Sequence, residues 1–176
     1  MAYTRDDAYD THKDYKENVN LWEYYIRSYN GGYDYTIGQY LNRYNLELDN
    51  EYNQRLGNTP CDNHCKNIIQ IYSSFLFRVK ASRDFGSMAD EPSLEPFLKD
   101  ADLEGNSFNS VMKQAQNYAA IYGHCFMILD KPAIQTRTRA EELNQEIRPY
   151  ISIVTPENVL DWNFKREVNG KYYLDY

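Results

Sequence analysis

An amphipathic segment that ends at a glycine and runs straight into an apolar segment is the strongest constraint on the fold of this chain. Residues 107–122 carry apolar side chains at helical spacing. Gly123 follows them, and glycine readily adopts the left-handed conformation found at helix C-termini. Residues 124–129 are apolar, and residues 130–132, which end in a proline, stop a strand. The order predicts a helix that leads directly into a buried strand.

A second strand-like segment, residues 150–154, follows a polar excursion and ends in a turn at residues 155–158. We expect it to pair with residues 124–129, while the polar residues between the strands form an exposed segment with a short helix from Thr138. The two strands would hold the domain together, so a charge placed in them is expected to abolish folding. The positions predicted to be most sensitive are Met127, Ile128 and Ile153.

Two further helices are predicted upstream from the spacing of apolar residues. The first starts at Lys13 and ends at the glycines 31–32, and a Tyr-rich loop, residues 33–40, follows it. The second has Thr59 as its N-cap and Pro60 at its first position, and it is about twenty residues long. Its apolar face consists of Cys61, Cys65, Ile68, Tyr72, Phe75, Leu76 and Val79.

Weaker signals complete the expected fold. Short helices are expected near residues 51–56 and 94–98, and the Asn-Gly pair at residues 169–170 predicts a β-hairpin near the end of the sequence. The fold class is therefore α+β, a helical domain with a small mixed or antiparallel sheet. We expect residues 1–12 to form a disordered tail and residues 13–176 a single domain.

The charge of the chain limits its partners. The net charge is −7, and no segment is basic enough to supply the convergent Lys and Arg side chains that tight phosphate binding needs. A protein that stacks single-stranded bases on its aromatic rings is disfavoured for the same reason. The 18 tyrosines fit half-buried helix faces or subunit contacts. The sequence has no apolar run of membrane-spanning length and begins without a signal-peptide pattern, so we expect no membrane partner.

Three cysteines and two of the histidines leave a small zinc-stabilised intracellular binding module open as an alternative function. Together they offer enough ligands for a tetrahedral site, but the spacing lacks the paired Cys-x-x-Cys that zinc modules use. Buried cysteines with free thiols, in a reducing intracellular compartment, explain the pattern more simply. The residues in question are Cys61, His64, Cys65, His124 and Cys125.

No other pattern predicts chemistry. His124 and Cys125 are adjacent in a predicted strand, so their side chains point to opposite faces and cannot form a catalytic pair. The residues from Asp100 to Gly105 resemble the start of a calcium loop, but Val111 stands where the bidentate Glu is required. We expect a polar turn there and no catalytic residue, cofactor or metal. A carboxylate-dependent hydrolase or nuclease is left as an alternative to which no residue can be assigned.

The order of these signals resembles the N-terminal, wing part of the portal proteins of tailed bacteriophages. The similar segments are the helix around residues 22–25, residues 40–44 and 52–56, the helix 63–77, the turn between helices in 94–108, the helix-to-strand step 122–132 and the closing segment 153–162. The resemblance covers most of residues 20–165. Portal subunits are usually several hundred residues long, so it implies that residues 13–176 are a wing-like domain from a larger subunit.

The resemblance also implies a function that is structural and not enzymatic. Portal proteins form a homo-oligomeric ring, usually of twelve subunits, at one capsid vertex of the virion, and they assemble in the host cytoplasm. Double-stranded DNA passes through the ring without sequence recognition. The partners that the resemblance implies are further copies of the subunit, the major capsid protein, the terminase and the head-tail adaptor proteins.

Overall fold

A computed structural model describes residues 11–60, 62–133, 138–145, 147–168, 170 and 172–175. Within these residues the fold is α+β, and its strands form two small antiparallel sheets, which confirms the coarse expectation. The chain divides into two compact units, one made of Met1–Lys66 with Thr155–Tyr176 and the other of Asn67–Val154. Most of the predicted tail, residues 1–10, lies outside the described residues.

The first unit combines helices from the start of the chain with a hairpin from its end. Its elements are α1 (Lys13–Asn30), α2 (Gly32–Ile37), α3 (Asp49–Asn58), a 3₁₀ turn (Pro156–Asn158), β3 (Asn163–Arg166) and β4 (Tyr172–Asp175). The start of α1 is joined to the 3₁₀ turn, because the Tyr15 hydroxyl donates to the Glu157 carbonyl at 3.2 Å. The His12 ring also stacks on Trp162 with ring centroids 4.0 Å apart. Residues from both ends of the sequence therefore form one unit.

The expected hairpin is present, and the expected Tyr-rich loop is not. Strands β3 and β4 pair antiparallel, and Gly170 between them has a positive φ of 85°; Asn169 lies outside the described residues. In the predicted loop the chain turns at Gly31 and then forms α2, in which the Thr36 hydroxyl donates to the Gly32 carbonyl at 3.1 Å. The loop prediction was wrong because Gly31 alone separates two helices, and the chain is helical again from Gly32.

A cluster of aromatic and charged side chains surrounds Arg55 on α3. The Arg55 guanidinium donates two bonds of 2.8 Å to the Glu47 carboxylate. It also lies over the Tyr44 and Tyr52 rings, at 4.8 Å and 5.6 Å from their centroids. The bidentate pair and the ring contacts fix the position of the segment that leads into α3. The turn predicted at residues 51–56 is part of this longer helix.

The free energy of unfolding is expected to depend on pH through the ionisation of Glu47. Hydrogen bonds from Arg55 lower the pKa of Glu47 from its ordinary value of 4.5, and they outweigh the opposing effect of burial. A carboxyl with a lowered pKa in the folded state stabilises the fold above pH 4.5, and the contribution disappears as the pH falls through the folded-state pKa. Wild type should therefore be more stable than Glu47→Gln near pH 7, and the difference should shrink below pH 4.5 in urea melts. If the difference in stability between wild type and Glu47→Gln stays constant below pH 4.5, the pair of Glu47 and Arg55 does not stabilise the fold through ionisation of Glu47.

The second unit is organised around a helix and a strand pair. Its elements are most of α4 (His64–Leu76), a 3₁₀ turn (Gly86–Met88), α5 (Leu94–Lys99), α6 (Phe108–Tyr122), β1 (Phe126–Asp130), α7 (Arg139–Asn144) and β2 (Tyr150–Val154). The Ser107 hydroxyl caps α6 by accepting from the Ser110 N–H, and Gly123 ends it with a φ of 89°. The helix, its glycine stop and the strand that follows are confirmed.

The small core of this unit lies between α6 and β2. Val111 of α6, Ile151 of β2 and Ala101 are buried together, and Phe97, Phe108 and Ile153 pack around them. The Ile151 N–H donates to the Ala101 carbonyl at 2.8 Å, which ties the turn before α6 to the strand. Strands β1 and β2 are antiparallel, as expected.

The prediction that β1 is a buried strand was wrong. Met127 and Leu129 are 41% and 67% exposed, whereas Ile151, the partner of Leu129 in β2, is buried. Among the described residues the sheet has two strands, and α6 covers it on the side of β2. An apolar strand sequence indicates a strand well, but it does not show how many neighbours that strand will have.

Candidate interaction surfaces of the second unit

Helix α4 begins later than its sequence predicts. The backbone N–H and hydroxyl of Thr59 both donate to the Arg55 carbonyl, so Thr59 closes α3 and does not open α4. Asn63 takes the capping role, with its side-chain oxygen accepting from the Lys66 N–H at 3.0 Å. The helix spans 13 residues and ends at Leu76, so it is shorter than the roughly twenty residues that the sequence predicts. The sequence offers two capping residues four positions apart, and Asn63, not Thr59, caps this helix.

The apolar side of α4 faces solvent. Its large side chains are each more than half exposed, and the next apolar residue beyond the helix is 78% exposed. Monomeric proteins rarely leave a contiguous apolar patch of this kind uncovered, because apolar surface in water costs about 25 cal/mol per Å². We call this surface the α4 face. It consists of Ile68, Ile71, Tyr72, Phe75, Leu76, Arg78 and Val79.

The same helix buries a polar residue. Ser73 is 1% exposed, and its hydroxyl oxygen has no hydrogen-bond partner among the described residues. Burial of an unpaired hydroxyl is unfavourable. Within one copy of the chain, the orientation of α4 therefore does not lower the free energy of the fold. An amphipathic helix that turns its apolar side outward is typical of a helix that binds another protein surface.

A shallow concavity of about 630 Å³ lies along one edge of the α4 face. Ile71 and Phe75 supply its apolar part, and the exposed Arg78 lies at its end. The Arg78 guanidinium has no ion-pair or hydrogen-bond partner in the part of the chain that the structure describes. Residues 63–83 contain Lys and Arg but no Asp or Glu, so this segment is basic although the whole chain is acidic.

A second exposed surface lies on the strand pair. Met127 and Leu129 are exposed on one side of the sheet, and Ile153, which pairs with Met127, lies half-buried against the core on the same side. Beside them is a groove of about 200 Å³, which Ile153 lines together with Asp102 and Glu104. We call these five residues the strand face. It is apolar like the α4 face, but its charges are acidic.

The two acids of the strand face have different surroundings. Partial burial raises the pKa of Asp102, but hydrogen bonds from Asn106 and from the Glu104 N–H outweigh it, so the pKa lies below its usual value. Asp102 is therefore ionised at neutral pH. The exposed Glu104 carboxylate has no partner among the residues that the structure describes. The groove thus carries negative charge that the described chain does not neutralise.

The calcium-like segment is a structural turn before α6. Asp100 accepts from the Gly105 N–H at 2.9 Å and pairs with Arg148 at 2.6 Å, so its carboxylate oxygens are already in use. Asp102 binds Asn106 within the turn. The predicted polar turn is therefore present, and Asp100 and Asp102 bind groups of the chain itself.

The residues weighed for zinc or nucleophilic chemistry have separate surroundings. Cys65 is exposed on α4, and the His124 ring contacts Phe126 edge to face. The Cys125 thiol donates to the Ala115 carbonyl at 3.4 Å, and burial raises its pKa, which makes it a poor nucleophile. Cys61 lies outside the described residues. Within the described part of the chain, no three His, Cys, Asp or Glu residues are arranged to hold a metal ion.

Comparisons with known proteins add no family to this geometry. No protein-family model matches the chain, and no curated protein is similar to it in sequence. Among the described residues, no helix has both the length and the apolar character needed to cross a bilayer.

Proposed function

We propose that this chain is a structural part of a tailed-bacteriophage portal subunit, from the wing of a ring through which DNA is packaged and ejected. The proposal is supported by the order of the secondary-structure elements in residues 94–162, which resembles the order in portal proteins. In it a short helix, a polar turn, a capped helix that ends at Gly123 and two antiparallel strands follow one another. The strand pair then continues into the 3₁₀ turn at Pro156–Asn158.

Exposed apolar surface supports a role in assembly. A ring subunit must offer surfaces to its neighbours, and the α4 face and the strand face are apolar surfaces that the described chain does not cover. The proposed ring would in turn dock to capsid protein, terminase and head-tail adaptor proteins.

The charge of the chain suits a passage for DNA better than a DNA reader. The net charge is −7, and an acidic wall repels the phosphate backbone, so DNA would slide without being held. The proposed function is architectural, with no reaction carried out by this chain.

Ring formation tests the proposal. We expect native mass spectrometry and negative-stain electron microscopy of the protein, at the salt concentration of capsid assembly, to show a closed ring of about twelve copies, as an assembly of subunits with two different contact surfaces allows. A protein that stays monomeric at all concentrations under these conditions would contradict the portal assignment. Met88→Ser, a change at an exposed position outside the α4 face and the strand pair, is the matched control and should leave the ring intact.

A further inference from the structure

The α4 face and the strand face are both exposed on the second unit, and they carry opposite charge. We propose that the α4 face of one copy binds the strand face of the next copy, in a head-to-tail contact between identical chains. The inference rests on the proposed ring, since it names the surfaces that would build it.

The two faces match in size and in apolar character. Helix α4 has 13 residues and is about 20 Å long, and the five-residue strands are about 17 Å long. Phe75 and Ile71 on the helix would cover Met127 and Leu129 on the strand pair. Removal of these side chains from water drives the association of both surfaces.

Charge decides which surfaces meet. Arg78 and Lys80 lie at one end of the α4 face, and Glu104 and Asp102 lie beside the strand face. Neither Arg78 nor Glu104 has a partner among the described residues, so each is available for the other. Two α4 faces placed together would bring basic residues against basic residues, because residues 63–83 contain no acid. Electrostatic complementarity therefore favours helix-to-strand over helix-to-helix contact.

A contact between two different surfaces has a defined consequence for assembly. Each copy keeps one face free after it binds a neighbour, so copies add until the assembly closes into a ring or grows as a filament. A contact between two like faces would stop at a dimer.

Complementation between two variants tests the contact. Phe75→Asp places a charge on the α4 face, and Leu129→Asp places one on the strand face; both positions are about two-thirds exposed, so both variants should fold. We expect each variant alone to be monomeric in sedimentation velocity. An equimolar mixture should form a one-to-one dimer and nothing larger, because each variant retains one intact face. Assembly of Leu129→Asp alone to the wild-type state, or a mixture that stays monomeric, would overturn the proposal.

A charge exchange tests the contact without disturbing the apolar surfaces. Arg78→Glu and Glu104→Arg should each weaken assembly by about tenfold, and the double variant should recover most of that loss, as expected for a paired charge interaction. Met88→Asp, at an exposed position outside both faces, is the control and should assemble like wild type. Additive losses in the double variant would show that these two residues do not meet.

Failure of this contact and failure of the portal function are distinguishable. If wild type forms a closed ring but the variants do not complement each other, the portal assignment stands and the ring uses other surfaces. If the variants complement but wild type grows as an open filament, the contact stands and the portal assignment fails.

Discussion

Val111→Asp is expected to abolish cooperative folding of the unit formed by Asn67–Val154. Val111 is 1% exposed and lies between Ala101 and Ile151 at the centre of the core. A carboxylate there would lose its hydration without gaining a partner, at a cost of about 4 kcal/mol or more. Since domains are stable by only about 5–15 kcal/mol, the loss of so small a core should unfold the unit. Circular dichroism during a thermal melt measures the effect.

Met88→Asp is the matched control for this prediction. Met88 is in the same unit and is 60% exposed, so the same new charge stays hydrated and should change stability by less than about 0.5 kcal/mol. A Val111→Asp protein that melts as cooperatively as this control would show that the core lies elsewhere. The sequence predicts that a charge at Met127 abolishes folding. Because Met127 is 41% exposed, a charge there should instead be tolerated.

Arg148→Ala is expected to cause the second largest loss of stability. The Arg148 side chain is 10% exposed, and it donates both to the Asp100 carbonyl and, at 2.6 Å, to the Asp100 carboxylate. Its removal leaves two acceptors unpaired next to the turn whose Ala101 carbonyl accepts from the Ile151 N–H of β2. We expect a loss of about 2–3 kcal/mol in urea unfolding, below the value for a fully buried pair because Asp100 is one-third exposed.

Arg148→Lys separates the charge from the geometry. Lysine keeps the positive charge but cannot form the two-pronged contact of a guanidinium, so an intermediate loss is expected. If the alanine variant is as stable as wild type to within about 0.5 kcal/mol, the pair contributes nothing to the fold.

Much of the fold follows from local signals. The α6 helix is specified by its Ser107 cap and its Gly123 stop, and the hairpin of β3 and β4 by the Asn-Gly pair that separates the strands in the sequence. The pairing of β1 with β2 follows from two apolar runs that a polar excursion separates. Each of these signals lies within a few residues of the element that it specifies, so the sequence alone suffices to predict the element.

The errors come from contacts that the local sequence does not encode. The Thr59 hydroxyl donates to the Arg55 carbonyl, so Thr59 caps the C-terminus of α3 and not the N-terminus of α4. The exposure of Leu129 depends on the absence of a third strand among the described residues. A periodic pattern identifies an element, while its neighbours are set by the packing of the whole chain.

The sequence does not predict that the α4 face is exposed, for a related reason. The spacing of Ile68, Tyr72 and Phe75 is the same whether the helix packs on its own core or on another protein. The burial of Ser73 is what shows that α4 turns its apolar side outward. A run of residues from 63 to 83 without a single acid was the one signal in the sequence that could have marked this surface.

The placement of the two tryptophans gives the first compact unit a spectroscopic signature of its own. Trp22 is buried against Tyr15 and Trp162 is stacked on His12, and all four rings belong to the first unit. The second unit, Asn67–Val154, contains no tryptophan. Indole emission therefore follows the unfolding of the first unit alone, whereas far-ultraviolet ellipticity follows the helices of both. Coincident transitions would mark residues 13–176 as one cooperative domain, and separated transitions would mark two.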